Sequence, residues 1–509
     1  MKASQIVGIV FLLLLCMKVS STKGNEDVQL PSKGPLDKEE PNQPKLLLYL
    51  LENAHKLENN QTIFRTAKLG ETWNDRMKEL VTGLVGLINV EGIPVGKFIS
   101  VLISFFWPSS AVNIWDLVKD QVEYMIDQKI LAAEVNQMQN SLDGLRRTMQ
   151  QYVEAKNNEK GALMGAIVAS CNDLHSRLVH SNNAVHLIPL TVTLSYMHLA
   201  NLKERLMHGK EIYDEDNTVV WKKDLKEEIE TYQKDFEELY GKWQKWRSDS
   251  ITVTLDEYKS PTTIPPFFFY VFTGDVYDKV TGKNRNFYTM QSTVVSNPTY
   301  FKEICDTVKT MLWNRANGAM LQTLVPTFFL DNFMPGSEDI PSKPHTSMQK
   351  ASFGPFSYNI LEGNSDRSRT VYYPSSDNSN ENPVTQVNVR EWNLIDGLRF
   401  FYKGTWGRFV GNPNGGLLHE IDTKGKLVHN IKISFNNGGM VDIEIIRSDG
   451  TSSGRLGNRG GWSVTRVEAG DIDTYGLYNV KMTGNNGVTQ IEFFYRHFTC
   501  RPSEIKLNI

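Results

Sequence analysis

One predicted helix carries its polar side chains on a single face. At about 100° per residue, the polar residues of 171–180 occupy one half of the helical wheel, and apolar residues with Cys171 occupy the other. The polar set is Asn172, Asp173, Ser176, Arg177 and His180. Asp173 precedes Arg177 by four residues, the order that favours an ion pair. This face can present fixed charges and hydrogen-bonding groups to water.

The sequence offers little for catalysis or metal binding. The ten histidines follow no metal-ligand spacing, since His175 and His180 are five residues apart, and neither H-E-x-x-H nor C-x-x-C occurs. Glu227 and Glu228 are assigned to the solvated face of a helix, where they need no catalytic role. We therefore predict a protein that is not an enzyme and needs no cofactor, with a glycan-active enzyme kept as a remote alternative.

The next stretch has the opposite character. Between Leu187 and Leu202 there is no Asp, Glu, Lys or Arg, and apolar residues fall on every side of the helical wheel. A helix without a polar face is either buried in protein or faces lipid. The candidate lipid-facing residues are Leu187, Ile188, Leu190, Val192, Leu194, Tyr196, Met197, Leu199 and Leu202. The two interpretations are compatible, because a buried helix can enter a membrane after its bundle opens.

A short polar turn at 181–183 joins these two helices into a hairpin, 159–208. Each helix has about 20 residues, or about 30 Å, which matches the hydrocarbon core of a bilayer. Helical periodicity continues through residues 46–248. After Ser250 the pattern changes to short alternating runs punctuated by Gly, Asn, Pro and Ser, which predicts an all-β domain over 251–509.

The amino terminus predicts secretion. Residues 1–21 combine Lys2, an apolar run and small residues at the end, as in a signal peptide. Residues 22–45 are charged and rich in Pro and Gly, which predicts a flexible leader. Asn60 lies in a glycosylation sequon. The net charge of −3 gives no reason to expect nucleic acid as a partner.

Three cysteines follow the predicted signal peptide. Cys171 lies on an apolar helix face and is interpreted as a buried free thiol. Cys305 and Cys500 are a candidate disulfide pair, since the predicted compartment is oxidising. The sequence alone leaves that pairing open.

Three helical stretches carry a family resemblance: C-N-D-L-H-S-R-L at 171–178, I-P-L-T-V-T-L-S-Y-M-H-L-A-N-L at 188–202, and the pair Tyr240–Gly241. They resemble the fourth, fifth and last helices of the pore-forming domain in the three-domain insecticidal crystal toxins, the delta-endotoxins. In that family seven helices form a bundle around a central apolar helix. The resemblance implies that the hairpin enters a membrane and that the face around Asp173 lines the pore of a homo-oligomer.

The strand-rich half extends the resemblance. V-T-L-D-E-Y-K-S-P at 253–261 stands where the family's second domain, a β-prism of three sheets, begins, and residues 431–462 resemble jacalin-type β-prisms. The implied fold is multidomain α and β, with an N-terminal seven-helix bundle followed by an antiparallel, jacalin-like β-prism. Prism loops imply a cell-surface glycan or glycoprotein receptor as partner. The candidate glycan-binding residues are Asn412, Asn414, Asn458, Arg459 and Trp462.

The chain also departs from the family. Lys203 stands where the central helix usually has a histidine, and the family's third domain is expected to be absent. A signal peptide is unusual among the bacterial members, so toxicity to insects is not implied. We expect a secreted pore-forming, toxin-like protein that acts on membrane lipid. The alternative is a secreted lectin-like binding or defence protein whose bundle stays closed.

Overall fold

In the computed structural model, the described residues are 73–88, 92–107, 128–261, 268–292, 298–337, 340–358, 361, 382–402, 404–458, 464–484 and 486–502. The signal peptide at 1–21, the leader at 22–45 and the Asn60 sequon lie outside them and stay predictions. The division between a helical domain at 46–248 and a β domain at 251–509 also stays a prediction.

Six helices precede the first strand within the described residues. They are α1 (Trp73–Ile88), α2 (Lys97–Phe106), α3 (Gln128–Glu154), α4 (Asn157–His180), α5 (Ile188–Tyr213) and α6 (Thr218–Asp249). Helix α5 lies at the centre and packs against α2, α4 and α6. Its burial on all sides explains why its sequence lacks a polar face.

The strands run β1 (Ile251–Pro261), β2 (Phe268–Asp278), β3 (Lys283–Ser292), β4 (Lys350–Phe356), β5 (Val384–Glu391), β6 (Ile395–Tyr402), β7 (Thr405–Trp406), β8 (Val410–Gly411), β9 (Leu417–Asp422), β10 (Val428–Asn436), β11 (Gly439–Arg447), β12 (Leu456–Gly457), β13 (Thr465–Gly470), β14 (Tyr475–Gly484) and β15 (Val488–His497). All their pairings are antiparallel.

Three sheets form a prism. Their strand orders are β12-β11-β10-β13, β14-β15-β4 and β7-β6-β5-β9, with β8 paired to β6. The sheets meet pairwise, because β10 packs on β14, β11 on β6, and β14 on β5. Alternate residues of each strand point into the shared core, where Ile433, Leu398 and Leu477 are fully buried. The prediction of a helical bundle with an apolar centre, followed by an antiparallel β-prism, is confirmed.

The stretch between bundle and prism has its own architecture. Strands β1, β2 and β3 form a separate sheet, which packs on helix α7 (Pro298–Leu324). A 3-10 helix, Val325–Phe333, follows directly and contacts α1, α5 and α6. We call Val325–Phe333 the cover segment, because it lies over the central helix. A second, shorter 3-10 helix spans Thr346–Met348.

The cysteines differ in part from expectation. Cys171 is a buried free thiol, as predicted. The predicted disulfide between Cys305 and Cys500 is wrong for this structure, in which the two sulfurs are not joined. Their neighbours explain why: Cys305 lies on α7 near Asp275 of β2, whereas the backbone of Cys500 bonds to Ser342 beyond the cover segment.

Candidate membrane-active hairpin

Helices α4 and α5 form the predicted hairpin, and the turn between them is tight. The backbone N–H of Asn183 donates to Ser181 Oγ at 2.9 Å, and that of His186 donates to the Asn183 carbonyl at 2.8 Å. Pro189 lies in the first turn of α5, where its missing N–H removes no helix hydrogen bond. Local sequence therefore fixes where the chain reverses.

Helix α4 has one buried and one exposed face. Met164, Ile167, Cys171, Leu174 and Leu178 are buried. The predicted pore-lining residues lie on the opposite face: Asn172, Asp173, Ser176 and His180 are exposed and Arg177 is half-buried. Arg177 Nη2 is 2.9 Å from Asp173 Oδ2 and donates to Ser141 Oγ of α3 at 3.0 Å. The structure thus brings all five together on one side of the helix.

Every predicted lipid-facing residue of α5 is buried in the bundle. The set comprises Leu187, Ile188, Leu190, Val192, Leu194, Tyr196, Met197, Leu199 and Leu202, none more than 5% exposed. Two polar residues interspersed with this set bond within the helix. The hydroxyls of Thr191 and Thr193 donate to the carbonyls four residues back, at 3.1 and 2.8 Å. Most of this segment therefore needs no partner outside α5.

Two polar groups of the same segment do reach outside the hairpin. The Tyr196 hydroxyl donates to the Pro326 carbonyl of the cover segment at 2.7 Å, and its ring meets Phe333 edge to face. His198 Nδ1 lies 3.2 Å from the Tyr232 hydroxyl of α6. These contacts hold the apolar helix in place and must break before it can leave.

A charged cluster joins the hairpin to α6. His175 Nε2 is 2.8 Å from Asp235 Oδ2, and the His175 ring stacks on Tyr232 with centroids 4.2 Å apart. Glu228 Oε1 lies 3.4 Å from the Nδ1 atoms of both His175 and His198, a distance typical of an ion pair rather than a direct hydrogen bond. The assignment of Glu228 to a solvated face is therefore wrong.

The electrostatics of this cluster follow from burial and neighbours. Burial by itself would lower the pKa of His175, but the hydrogen bond to Asp235 and the charges of Glu228 and Asp235 outweigh it and raise that pKa to about 9. Burial would raise the pKa of Glu228, but the two imidazoles hold it at about 2. For His198 burial dominates and lowers the pKa. At neutral pH the closed bundle therefore holds one imidazolium between two carboxylates.

Spacing along the helices carried a signal for this cluster. Glu228 and Asp235 follow the buried Trp221 at intervals of seven residues, and His175 lies four residues after the buried Cys171. Such intervals place all of them on core-facing stripes. Sequence reasoning missed these residues because they are polar or charged, and charged residues on long amphipathic helices usually face solvent.

A second buried acid lies further along α5. Glu204 is fully buried, and its Oε1 accepts from the Gly96 backbone N–H at 2.6 Å and the Tyr152 hydroxyl at 3.1 Å. Gly96 immediately precedes α2, so the carboxylate caps that helix from a distance. Burial raises the pKa of Glu204 to about 7, against the opposing effect of these hydrogen bonds and of the Lys160 charge.

The candidate receptor loops of the prism gather near the start of β6. The Asn412 N–H donates to the Asp396 carbonyl, and Asn412 and Asn414 are exposed. A side chain on Gly457, beside Asn458, would meet Ile395. Arg459 and Trp462 lie outside the described residues. Sequence reasoning missed Trp392, which is 58% exposed in the turn before β6.

The described residues include no group of histidines, cysteines and carboxylates that could hold a metal ion. Among the helices described, none combines the length and apolar character that crossing a membrane requires.

Comparison with known proteins gives a family match. Residues 81–281 match the family model of the delta endotoxin N-terminal domain. The pesticidal crystal protein Cry1Da of Bacillus thuringiensis subsp. aizawai is 26% identical over 166 residues, 30% of this chain. The matched part spans only 14% of the length of that relative.

Solved structures extend the comparison. The insecticidal crystal protein Cry7Ca1 of Bacillus thuringiensis matches with a TM-score of 0.51 and 14% identity, covering 84% of this chain and 75% of its own. That likeness concerns the fold. A mannose-binding jacalin-related lectin from Ananas comosus matches 29% of this chain and 99% of its own, with 15% identity and a TM-score of 0.24.

Proposed function

We propose that this chain, whose residues 81–281 match the delta endotoxin N-terminal domain, is a secreted pore-forming protein that acts on cell membranes. One observation carries the proposal: two different helices are paired in one hairpin. Helix α4 has one apolar and one polar face, and helix α5 is apolar on all sides of its first half. In water the bundle buries both apolar surfaces. In a membrane, lipid could cover the same surfaces.

The polar face of α4 decides how the hairpin would sit in the membrane. Asp173 and Arg177 in hydrocarbon would be costly unless they faced water. Several hairpins arranged with these faces inward would enclose an aqueous path, and the apolar faces would contact lipid or neighbouring helices. Pore formation therefore requires a homo-oligomer, with α4 lining the lumen and α5 behind it.

The hydrogen bonding of α5 supports insertion. Unsatisfied polar groups are expensive in lipid, but Thr191, Thr193 and Asn201 donate to carbonyls of their own helix. Removal of α5 from the bundle leaves these bonds intact. Within residues 187–202, the polar contacts that release would break are those of Tyr196 and His198.

The prism supplies the second activity in this proposal, which is attachment to a cell-surface glycan or glycoprotein. The exposed loop at 412–416 and the exposed Trp392 lie at the same edge of the prism, near Asp396. Aromatic side chains with adjacent polar groups are frequent in recognition surfaces. The same observation favours the alternative function, a lectin-like binding protein whose bundle stays closed.

A reversible lock on the hairpin separates the two functions. Cysteines introduced at facing positions of α3 and α4, beside the Ser141–Arg177 contact, should form a disulfide that holds α4 in the bundle. Dye release from vesicles made of target-cell lipids and glycoproteins should stop when the lock is oxidised and return on reduction. Either single-cysteine variant is the control. Full release by the oxidised protein would contradict the pore mechanism, and no release by the unlocked protein would favour the binding protein.

A further inference from the structure

We propose that His175, Glu228 and Asp235 form an ionic latch that holds the hairpin on α6, and that loss of the His175 charge at alkaline pH releases it. The latch concerns the closed bundle in water. Its consequence for membranes rests on the proposed function.

The geometry places the latch where it can act. His175 belongs to α4, whereas both carboxylates belong to α6, so the cluster crosses the boundary between the moving hairpin and the helix that stays. The His175 side chain is 9% exposed, and those of Glu228 and Asp235 are 19% and 22% exposed. Water therefore screens these charges only partly, and their attraction is stronger than on an open surface.

The titratable and charged groups around His175 come from three helices. They are Cys171 on α4, His198 and Arg205 on α5, and Glu228, Tyr232 and Asp235 on α6. Arg205 is already bound to Asp224 at 2.7 Å, and burial keeps His198 neutral at physiological pH. His175 is therefore the cation of the cluster that titrates above neutrality.

The direction of the pH effect follows from proton linkage. The pKa of His175 is about 9 in the closed bundle, against about 6.5 for a histidine exposed to solvent. The closed state binds the extra proton, so its advantage is complete below pH 6.5 and is lost as the pH rises through about 9. Above that pH, Glu228 and Asp235 face a neutral imidazole. Acid leaves the contact between Glu228 and His175 in place, because Glu228 stays ionised down to about pH 2.

Cys171 offers a native reporter of opening. It is fully buried on α4, one turn before His175, and becomes accessible when α4 leaves the bundle. Pulse alkylation of the full chain without membranes, with each cysteine followed by mass spectrometry, measures this exposure. Rates are divided by those of the urea-unfolded chain at the same pH, which removes the titration of the thiol itself.

The wild-type protein should show normalised Cys171 labelling that rises up to tenfold per pH unit between 6.5 and about 9, about 300-fold in all. His175→Gln should label rapidly already at pH 7, and His180→Gln on the exposed face should behave as wild type. Asp235→Asn, which keeps most of the packing, should move the rise to lower pH. Glu230→Gln, an exposed carboxylate change on α6, should not.

A flat wild-type profile, or the same midpoint in Asp235→Asn as in wild type, would overturn the latch. If His175→Gln fails to fold, Asp235→Asn and the wild-type profile still decide. Dye release from phosphatidylcholine–phosphatidylglycerol vesicles is measured in parallel. Cys171 exposure without dye release at pH 10 supports the latch and counts against the pore, whereas dye release at pH 10 with Cys171 still protected supports the pore and overturns the latch.

Discussion

The bundle and the prism bury charges in different ways. In the prism, Asp442 is fully buried against Arg455, and Glu444 lies 2.7 Å from Arg466. A guanidinium stays protonated at any physiological pH. In the cluster between α4 and α6 of the bundle, the cation is the imidazolium of His175, and Glu204 of α5 is a buried acid with a pKa of about 7. These two guanidinium pairs of the prism therefore keep their charges over the pH range that a protein meets, whereas His175 and Glu204 can lose or gain a proton within it.

The buried histidine of β15, His497, shows the same contrast with His175. Burial lowers the pKa of His497 to about 4, so this side chain is neutral above that pH, and its Nε2 lies 2.8 Å from Ser342 Oγ. Raising the pH from neutrality therefore leaves the charge of His497 unchanged. Of these two buried histidines, only His175 of the bundle changes its charge between neutral and alkaline pH.

The largest expected effect is at the joint between the bundle and the sheet β1-β2-β3 that follows it. Arg247 of α6 makes two hydrogen bonds to Asp278 of β2, at 2.7 and 2.8 Å, and both side chains are at most 5% exposed. Arg247→Ala leaves a buried carboxylate unpaired and should lower the free energy of unfolding by about 3–5 kcal/mol. Urea denaturation measures this free energy of unfolding, and substitution of the exposed Lys245 by alanine is the control. A loss below about 1 kcal/mol would mean that this ion pair does not fasten the bundle to that sheet.

The pH dependence of the two halves is the next largest effect. Between pH 6.5 and 9.5 the bundle should lose about 3 kcal/mol as His175 gives up its proton. Glu204 adds a loss of similar size between pH 4.5 and 7, because its pKa is raised in the folded state. The prism should change little above pH 6.5. Pulse proteolysis in urea, with peptides assigned to the bundle or the prism by mass spectrometry, tests this difference in pH dependence. Equal losses of stability in the bundle and the prism would contradict it.

Two glycines sharpen the comparison at the level of packing. A Cβ on Gly209 of α5 would lie 2.2 Å from the Trp221 ring of α6, and one on Gly318 of α7 would lie 2.5 Å from the Phe353 ring of β4. Either substitution by alanine should cost about 1–3 kcal/mol through overpacking. Gly165→Ala, where nothing lies within 4 Å, should stabilise α4 by about 0.5–1 kcal/mol.

Of the Gly209 and Gly318 substitutions, only the first should change the rate of dye release from vesicles. Gly209→Ala loosens the hairpin from α6 and should speed dye release from vesicles, whereas Gly318→Ala should not. Equal release rates for the two variants would show that loosening at the hairpin has no special role.

The smallest expected effect on stability lies on the exposed face of α4. Asp173→Asn removes the ion pair with Arg177, in which Asp173 is 66% exposed, and should cost at most about 0.5 kcal/mol. In planar bilayers it should reduce cation preference, because it removes a fixed negative charge from the proposed lumen. Asn172→Asp adds such a charge one residue away and should act in the opposite sense. Identical ion selectivity in all three proteins would place this face outside the conducting path.

The sequence by itself determined the elements of this protein and the faces they expose. The uncharged stretch at 187–202 required surroundings without water, and the wheel of 171–180 separated the buried residues of α4 from the exposed ones. The alternating runs after Ser250 required antiparallel sheets. Periodicity contains this information because 3.6-residue and two-residue repeats fix the side on which each side chain lies.

Only the tertiary structure decided which groups meet. His175 and Asp235 are 60 residues apart in the chain, and Tyr196 and Pro326 are 130 apart. No local pattern specifies that the carboxylates of α6 face an imidazole of α4, or that residues 325–333 cover the central helix. Periodicity fixes a direction but not a neighbour, and the charge state of a buried group depends on its neighbours. The contacts that hold the bundle closed, such as His175 with Asp235, therefore could not be predicted from local sequence patterns.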